Sequence, residues 1–316
     1  MKILKIRELF IDAIRSFFKS QGFTEVDTPL LVTAPDPSPF NEVFEVHSIT
    51  GQKFYLTPSP EFFMKKLLAN NSGNIFQICK AFRDGQIGPL HNPEFTILEW
   101  YRINANYYDI MVDCENLIDY LIKKLSPFKI LNLKFKIIHP WPRISIKEAF
   151  QKYAKIDLDE FLDLNYARQI CQQHGYQVNK TDTWEQLYHQ IFLNEIEPKL
   201  PSGTPLILYD YPAPLAALAR LKKDNPNYAE RFEFYLNGIE IGNGYSELND
   251  SSEQRKRLIN DLKIRKKLGM RLFPLDEEFV KAVGKMPPTG GIAVGVDRLM
   301  MTLIGKKKID PTFPFN

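Results

Sequence analysis

The stretch that decides the fold is FQICKAFRDGQIGPLHNPEFTILEWYR, residues 76–102. Apolar residues dominate both ends, so residues 74–83 are predicted as a buried strand and residues 94–102 as the returning strand. The intervening residues 84–93 contain two glycines and two prolines, which interrupt regular structure. The pattern predicts two strands joined by a long loop, and long loops inside compact domains are often functional.

Charged and polar residues stand where this unit turns. Arg83 closes the first strand and Asn92 ends the loop. A permanently charged guanidinium beside a flexible loop suits a nucleotide phosphate. The alternative is an ordinary hairpin with a surface arginine. Because strand side chains alternate between faces, one face of the returning strand carries Phe95, Ile97, Glu99 and Tyr101.

Helices and short strands are predicted before this unit. Residues 3–20 place apolar side chains on one helical stripe that ends at Gly22, and residues 23–26 form a short strand. Three prolines make residues 34–40 a loop. After a strand at residues 54–56, Ser59 is a suitable N-cap, Pro60 a suitable first helical residue and Glu61 a favourable charge for a helix that ends at Ala69.

The rest of the chain predicts an α+β fold, an antiparallel sheet flanked by helices. Asn-Gly at 237–238 marks a hairpin between residues 232–236 and 239–241. Helices are predicted at residues 107–125, 147–153, 182–195 and 251–268, and a glycine-rich strand followed by a helix at residues 290–304. No linker divides the sequence, so residues 1–316 are predicted to be a single domain.

Two further motifs carry chemistry. In GIEIGNGYSELND, the glycines at 242 and 244 are predicted to break the strand and turn Glu240 and Glu247 inward, where two carboxylates suit Mg²⁺. A glycine-rich turn with solvated acids is the alternative. In GGIAVGVDRLMM, Arg298 begins an apolar helix where a phosphate could be held. The alternative is a core strand and helix with one buried ion pair, between Asp297 and either Arg298 or another partner.

The amino-acid composition excludes several classes of protein but does not identify the function. The chain is 44% hydrophobic and 25% charged, with a net charge of +3, which indicates a globular protein and no nucleic-acid binder on charge alone. No apolar run is long enough for a membrane helix. Three scattered cysteines favour a reducing compartment, so a cytoplasmic enzyme is predicted.

Taken in order, the motifs resemble the class II aminoacyl-tRNA synthetase catalytic domain. GFTEVDTPLL (22–31) is similar to motif 1, FRDG…HNPEF to motif 2 and GIAVGVDRLMM to motif 3. The lysyl subgroup is the most similar. That subgroup carries an N-terminal anticodon-binding barrel, for which about twenty residues before motif 1 leave no room. The chain therefore resembles the stand-alone lysyl-tRNA synthetase paralogues that attach β-lysine to a lysine of elongation factor P.

The resemblance implies a site residue by residue. The amino-acid site would be lined by Ser59, Pro60, Glu61, Tyr101, Gly242 and Glu247. ATP would contact Arg83, Asp84, Gly85, Asn92, Glu240, Ile241, Gly295 and Arg298, with Arg83, Arg298 and Glu240 catalytic and Mg²⁺ on Glu240 and Glu247. A homodimer through Pro29 is implied, with tRNA an unlikely partner and no membrane.

Two positions depart from the family pattern. Gly85 stands where motif 2 usually has a glutamate near the adenine amino group. Gly242 stands where the elongation-factor ligases usually carry alanine and the synthetases glycine, which leaves the choice between α-lysine and β-lysine open. Two alternatives follow: a truncated synthetase that charges tRNA or makes only adenylate, and a regulator that binds lysine or ATP without turnover.

Overall fold

A computed structural model describes residues 3–39 and 41–312. Its strands are β1 (Thr24–Glu25), β2 (Leu31–Val32), β3 (Glu45–His47), β4 (Lys53–Leu56), β5 (Ile75–Phe82), β6 (Glu94–Ile103), β7 (Arg143–Ser145), β8 (Leu206–Pro212), β9 (Tyr228–Leu236), β10 (Ile239–Ser246) and β11 (Thr289–Gly295). Its α-helices are α1 (Ile3–Ser20), α2 (Glu61–Ala69), α3 (Tyr107–Leu125), α4 (Ile146–Ala149), α5 (Leu158–Phe161), α6 (Leu164–Gln173), α7 (Trp184–Ile191), α8 (Ser251–Lys267), α9 (Glu277–Val283) and α10 (Val296–Leu303).

The backbone contacts divide the chain into two compact units, residues 1–133 with 244–316, and residues 134–243. There is one mixed sheet of eight strands and one sheet of three. The strand order is β1-β5-β6-β11 in the first unit and β10-β9-β8-β7 in the second, with β10 crossing the boundary. The predicted α+β class is confirmed. That all 316 residues form one catalytic domain stays a prediction.

In the first unit, α1 covers the sheet through its apolar stripe. The ring of Phe18 is fully buried, stacks on Phe76 of β5 and tilts against Trp100 of β6. Gly22 adopts the left-handed conformation with φ +77°, which lets the Phe23 amide bond back to the Phe18 carbonyl and ends the helix as predicted.

The same unit holds the strand pairs that position the site. Strands β5 and β6 are antiparallel, with Ile75 opposite Tyr101 and Phe82 opposite Glu94, and the loop between them covers residues 83–93. Strand β11 lies antiparallel on the other edge of β6 and places Gly291 opposite Tyr101. The predicted strand–loop–strand unit is therefore confirmed. The small sheet has the order β2-β4-β3.

The second unit has its own apolar core. Strand β7 runs parallel to β8, and β8 antiparallel to β9. Helices α4, α5, α6 and α7 contribute buried side chains such as Ile146, Phe161, Cys171 and Leu187 to this core. Of these helices, the sequence predicted only the regions of α4 and α7, which continue as π-helical turns at Phe150–Ala154 and Phe192–Ile196.

Several expectations need correction in detail. The sheet is not wholly antiparallel, because β1 pairs with β5 and β7 with β8 in parallel. Helix α2 begins at Glu61 rather than Pro60, which is its cap. Strand β10 runs unbroken through residues 242–244, so these glycines do not interrupt it. The predicted loop at residues 34–40 holds for its described part, and Phe40 lies outside the described residues.

No helix in residues 3–39 or 41–312 has the length and apolar character needed to cross a membrane.

Candidate active site

The predicted amino-acid residues of the first unit converge on the face of β6. Ser59 precedes α2 and Glu61 begins it, Tyr101 lies on β6, and Glu247 follows β10 directly. Glu99, two residues before Tyr101 on the same face, lies among them and is fully buried. The Ser59 hydroxyl donates to Glu99 Oε1 at 2.5 Å, and the Tyr101 hydroxyl donates to Glu99 Oε2 at 3.0 Å.

A buried lysine holds two of the carboxylates. Lys65 Nζ lies 2.5 Å from Glu61 Oε1 and 2.6 Å from Glu247 Oε2, and its side chain is 0% exposed. Glu61 and Lys65 are four residues apart, so one face of α2 presents both. The Glu247 side chain is also buried, and its Oε1 has no hydrogen-bond partner within the described ranges. A buried carboxylate oxygen without a donor is the group that a ligand ammonium would satisfy.

Burial and mutual repulsion keep these acids from ionising easily. Loss of solvent, with the negative charge of Glu61 added, raises the pKa of Glu99 to about 8. Burial also raises the pKa of Glu247 to about 7, although Lys65 opposes the rise. Burial alone would lower the pKa of Lys65, but Glu247 and Glu61 together raise it above its ordinary value. The site therefore has an excess of acid that a cation would relieve.

Gly291 makes the close packing of this site possible. A Cβ atom at this position would lie 2.4 Å from Glu247 Oε1 and 2.4 Å from Tyr101 Cδ1. Both neighbours are buried. The glycine-rich sequence of β11 is thus explained by the approach of Tyr101 and Glu247 to its backbone.

The loop after β5 places Arg83 at the edge of the first unit's sheet. Its guanidinium lies 5.2 Å from the ring centroid of Phe95, and its amide bonds to the Pro93 carbonyl at 2.9 Å. Asp84 and Gly85 are exposed, whereas Asn92 is half-buried. Gly85 has φ +75° with open space around it, so a glutamate would fit sterically but in a backbone conformation that L-residues rarely adopt.

Arg298, on the first turn of α10, faces the same loop. Its Nε donates to the Leu90 carbonyl at 3.2 Å, and its Nη2 contacts His91 Nε2. Burial, with the charges of Arg298 and Arg83, lowers the pKa of His91, so the imidazole is a neutral acceptor. Gly295 is the cap residue of α10. The structure thus brings the candidate phosphate residue of motif 3 to the loop of motif 2.

The buried ion pair of Asp297, whose partner the sequence left open, forms with Arg7 and not with Arg298. Asp297 pairs with Arg7 of α1 at 2.7 Å and accepts from the Thr96 amide at 2.7 Å. These contacts tie the start of α10 to β6 and α1, and so position Arg298 beside them.

The remaining predicted residues lie in the second unit. Glu240, Ile241 and Gly242 are consecutive on β10; Gly242 and Ile241 are buried and Glu240 is half-buried. Glu233 on β9 accepts from the Tyr235 hydroxyl at 2.9 Å, and after burial the charges of Glu233 and Glu240 both raise the pKa of Tyr235.

The predicted magnesium pair does not fit as stated. Glu247 is engaged by the Lys65 ammonium at 2.6 Å, a cation that would repel Mg²⁺. Within the part of the chain that the structure describes, no three His, Cys, Asp or Glu side chains form a metal-binding group. Glu247 is thus suited to a substrate ammonium.

Sequence reasoning missed Lys65 and Glu99. Both left a signal, because Lys65 is four residues after Glu61 on a predicted helix, and Glu99 shares a strand face with Tyr101. The sequence did not show that Lys65 and Glu99 are fully buried, and this burial is what distinguishes them from ordinary charged residues at the surface.

Comparison with known proteins identifies the family of this chain. All 316 residues match the tRNA synthetases class II (D, K and N). The chain belongs to this family. The elongation factor P--(R)-beta-lysine ligase of Histophilus somni is 36% identical, over 99% of this chain and 94% of its own length. The ligase of that name from Avibacterium paragallinarum is 34% identical, over 100% of this chain and 95% of its own length.

Lysine--tRNA ligases are also similar. The one from Buchnera aphidicola (subsp. Cinara cedri) is 36% identical over 98% of this chain, and the match covers 62% of its own length. The class II, lysyl-like resemblance is therefore confirmed, and with it the prediction of a ligase that uses ATP.

Proposed function

We propose that this chain activates lysine or β-lysine with ATP and transfers the acyl group to a lysine side chain of elongation factor P. The observation that carries the proposal is the set of three acids around a single buried Lys65: Glu99 and Glu247, which are buried, and Glu61, which is partly exposed. Three carboxyl groups against one ammonium suit a substrate that brings positive charge. The near end-to-end match to ligases that act on elongation factor P supports the protein acceptor.

The amino-acid subsite in the first unit consists of Ser59, Pro60, Glu61, Tyr101 and Glu247, to which Glu99 is added. The resemblance to the family also assigns Gly242 to the substrate. Glu247 Oε1 receives a substrate ammonium, since it is buried and accepts no hydrogen bond in the described ranges. Glu61 and Glu99 are the further acceptors for the second ammonium.

The ATP subsite uses the loop residues and the start of α10. Arg83 and Arg298 neutralise the phosphates, as guanidinium groups do in bidentate pairing. Asp84, Gly85, Asn92 and Gly295 contact the nucleotide beside them, and the resemblance to the family assigns Glu240 and Ile241 to ATP as well. Mg²⁺ would be held by Glu240 together with phosphate oxygens of ATP, and the ion would neutralise phosphate charge.

The reaction is a two-step acyl transfer. The lysine carboxylate attacks the α-phosphate of ATP, giving the aminoacyl-adenylate and pyrophosphate, while Arg83 and Arg298 offset the charge that develops on the phosphates. A deprotonated lysine amine of the acceptor then attacks the acyl carbon and AMP leaves. No covalent bond to this chain is needed.

A homodimer through motif 1 and a cytoplasmic location complete the proposal. Pro29 is exposed, as an interface residue of a separate subunit is. The three cysteines are free, as in a reducing compartment.

Charging of tRNA is the second candidate, which the similarity to lysine--tRNA ligases favours. Radioactive lysine with ATP, elongation factor P and tRNA in one reaction separates the two. Label on elongation factor P is expected, and label on tRNA alone would contradict the proposed acceptor. Absence of pyrophosphate exchange with both α-lysine and β-lysine would favour the non-catalytic regulator, and lysine-dependent exchange would exclude it.

The choice between α-lysine and β-lysine is tested at Gly242, which is buried on β10. Adding a methyl group there by Gly242→Ala is expected to change the ratio of kcat/KM for the two substrates by about 10- to 200-fold, as one methylene does in a pocket. Pyrophosphate exchange measures both. An unchanged ratio would show that Gly242 does not line the subsite.

A further inference from the structure

We propose that Lys65 is a positioning residue that fixes Glu61 and Glu247 and sets the number of positive charges that the substrate must bring. The inference deepens the proposed function and rests on it for the identity of the substrate. The two ion pairs of Lys65, at 2.5 Å and 2.6 Å, join the start of α2 to the residue after β10.

The position of Lys65 on α2 directs its side chain into the cluster of acids, as a comparison with the adjacent lysine shows. Its neighbour Lys66 points the other way, pairs with Asp276 at 2.7 Å and lies 4.7 Å from the ring centroid of Phe63. The side chain of Lys66 is 18% exposed, whereas that of Lys65 is 0% exposed. A buried ammonium is retained only where paired carboxylates compensate its lost hydration. Lys65 is therefore an internal cation of the site.

The role of the Lys65 ammonium follows from the charges of the acids around it. Glu61, Glu99 and Glu247, when ionised, leave two negative charges after Lys65 is counted. Both α-lysine and β-lysine bring two ammonium groups, while their carboxylate is directed to the phosphate of ATP. With Lys65 in place, the site is neutral when a diamine substrate is bound. A site without it would be neutral only with a third positive charge or a bound proton.

The groups that face this cluster come from several elements and decide the pH response. They are Asp36, Glu61, Arg83, Glu99, Tyr101 and Glu247, whose charges act on one another. Lys65 lowers the pKa of Asp36, Glu99 and Glu247. If its charge is removed, these carboxyl groups hold their protons to higher pH, and an ammonium group must displace a proton before it can bind.

The experiment compares Lys65→Met and Lys65→Gln with Lys65→Arg, which keeps the charge, and with Lys66→Met as the matched control. The first readout is the titration of the Glu247 carboxyl carbon by NMR in the ligand-free chain, assigned with Glu247→Gln. The second is the pH profile of lysine-dependent pyrophosphate exchange.

Both neutral variants are expected to raise the titration midpoint of Glu247 by about one pH unit or more, as loss of a neighbouring opposite charge does. They should raise KM for lysine about 10-fold or more at pH 7 and recover as the pH rises, with kcat changed less than about 3-fold, because ground-state charge pairing is lost. Lys65→Arg should keep the midpoint near that of the wild type. Lys66→Met should match the wild type in both readouts.

An unchanged Glu247 midpoint in both neutral variants would overturn the inference, as would a KM increase that is equal at every pH. The titration needs no substrate. A wild-type chain without lysine-dependent exchange would therefore contradict the proposed function, while the midpoint would still decide the role of Lys65.

Discussion

Glu99 has the higher pKa of the two buried acids in the amino-acid site. Both of its oxygens accept hydrogen bonds, from Ser59 and Tyr101, and no side chain of opposite charge touches it within the ranges described. Its environment raises its pKa, so it gains most from a ligand that supplies a positive charge. This makes it a substrate-binding residue in the proposed function.

Glu99→Gln should therefore weaken lysine binding without unfolding the chain. The amide keeps the shape but supplies no charge, and a hydrogen bond to a charged group contributes about 1.5–3 kcal/mol, or roughly 10- to 150-fold in KM for lysine. Pyrophosphate exchange measures it. Glu8→Gln, in an exposed pair with Lys5, is the control and should match the wild type. A wild-type KM in Glu99→Gln would exclude Glu99 from the subsite.

Gly291 is a second residue on which the site depends, because only a residue without a side chain fits between Tyr101 and Glu247. Gly291→Ala would force a methyl group to within 2.4 Å of Glu247 Oε1 and Tyr101 Cδ1. Overpacking of this kind costs about 1–3 kcal/mol, and here the displaced atoms belong to the subsite. Lysine-dependent exchange is expected to fall at least about 10-fold.

Gly203→Ala is the matched control for that substitution. No atom lies within 4 Å of a Cβ at position 203, so neither exchange nor thermal stability should change. If Gly291→Ala were as active as Gly203→Ala, the packing around Tyr101 and Glu247 would be looser than the geometry states.

At the scale of elements, helix α8 is fixed by one of its own basic residues. The sequence of this helix contains seven basic side chains. They predict either a binding surface for tRNA or an acidic protein, or a helix face that is exposed to solvent. Arg265 is instead fully buried and donates to the carbonyls of Ser38, Asn41 and Arg271 and to Glu42. Arg255 and Arg257 pair with acids as well. The basic surface is therefore smaller than its sequence indicates.

Arg265→Met should lower the free energy of unfolding by about 3–5 kcal/mol, because it leaves buried acceptors without a donor. Urea denaturation followed by fluorescence measures the change. Lys266→Met, at the exposed next position, is the control and should stay within about 0.5 kcal/mol of the wild type. Equal stability of the two variants would show that the anchor contributes little.

At the scale of the whole molecule, the buried acids link ligand binding to pH. The pKa of Glu99 is about 8 and that of Glu247 about 7, both above the ordinary value of 4.5. Between pH 4.5 and about 8 the folded chain holds more protons on these groups than the unfolded chain does, so their contribution to stability falls as the pH rises. A bound ammonium favours the ionised forms and reverses this loss.

Lysine should consequently raise the melting temperature more at pH 8 than at pH 6. Differential scanning fluorimetry with saturating lysine at both values measures the difference, and norleucine, which lacks the second ammonium, should give a smaller shift at pH 8. A larger shift at pH 6 would show that the acids are already ionised in the free chain.

The sequence by itself determined the order of the motifs and the strand–loop–strand unit, which depend on alternation along strands and on glycine and proline in loops. The resemblance that the motifs carry proposed Ser59, Glu61, Arg83, Tyr101 and Arg298 as site residues. The sequence could not reveal that β10 continues through Gly242, because a glycine permits a turn without requiring one. It could not show that the second unit has a core of its own.

Only the tertiary structure decided which charges are buried together. Lys65, Glu99 and Arg265 are ordinary charged residues in the sequence, and their burial follows from packing between elements distant in the chain. Burial changes what a charge does, since removal from water makes an unneutralised carboxylate costly and its pairing specific. The sequence named the family of the site, and packing decided that Glu247 faces Lys65, which suits a substrate ammonium and not a metal ion.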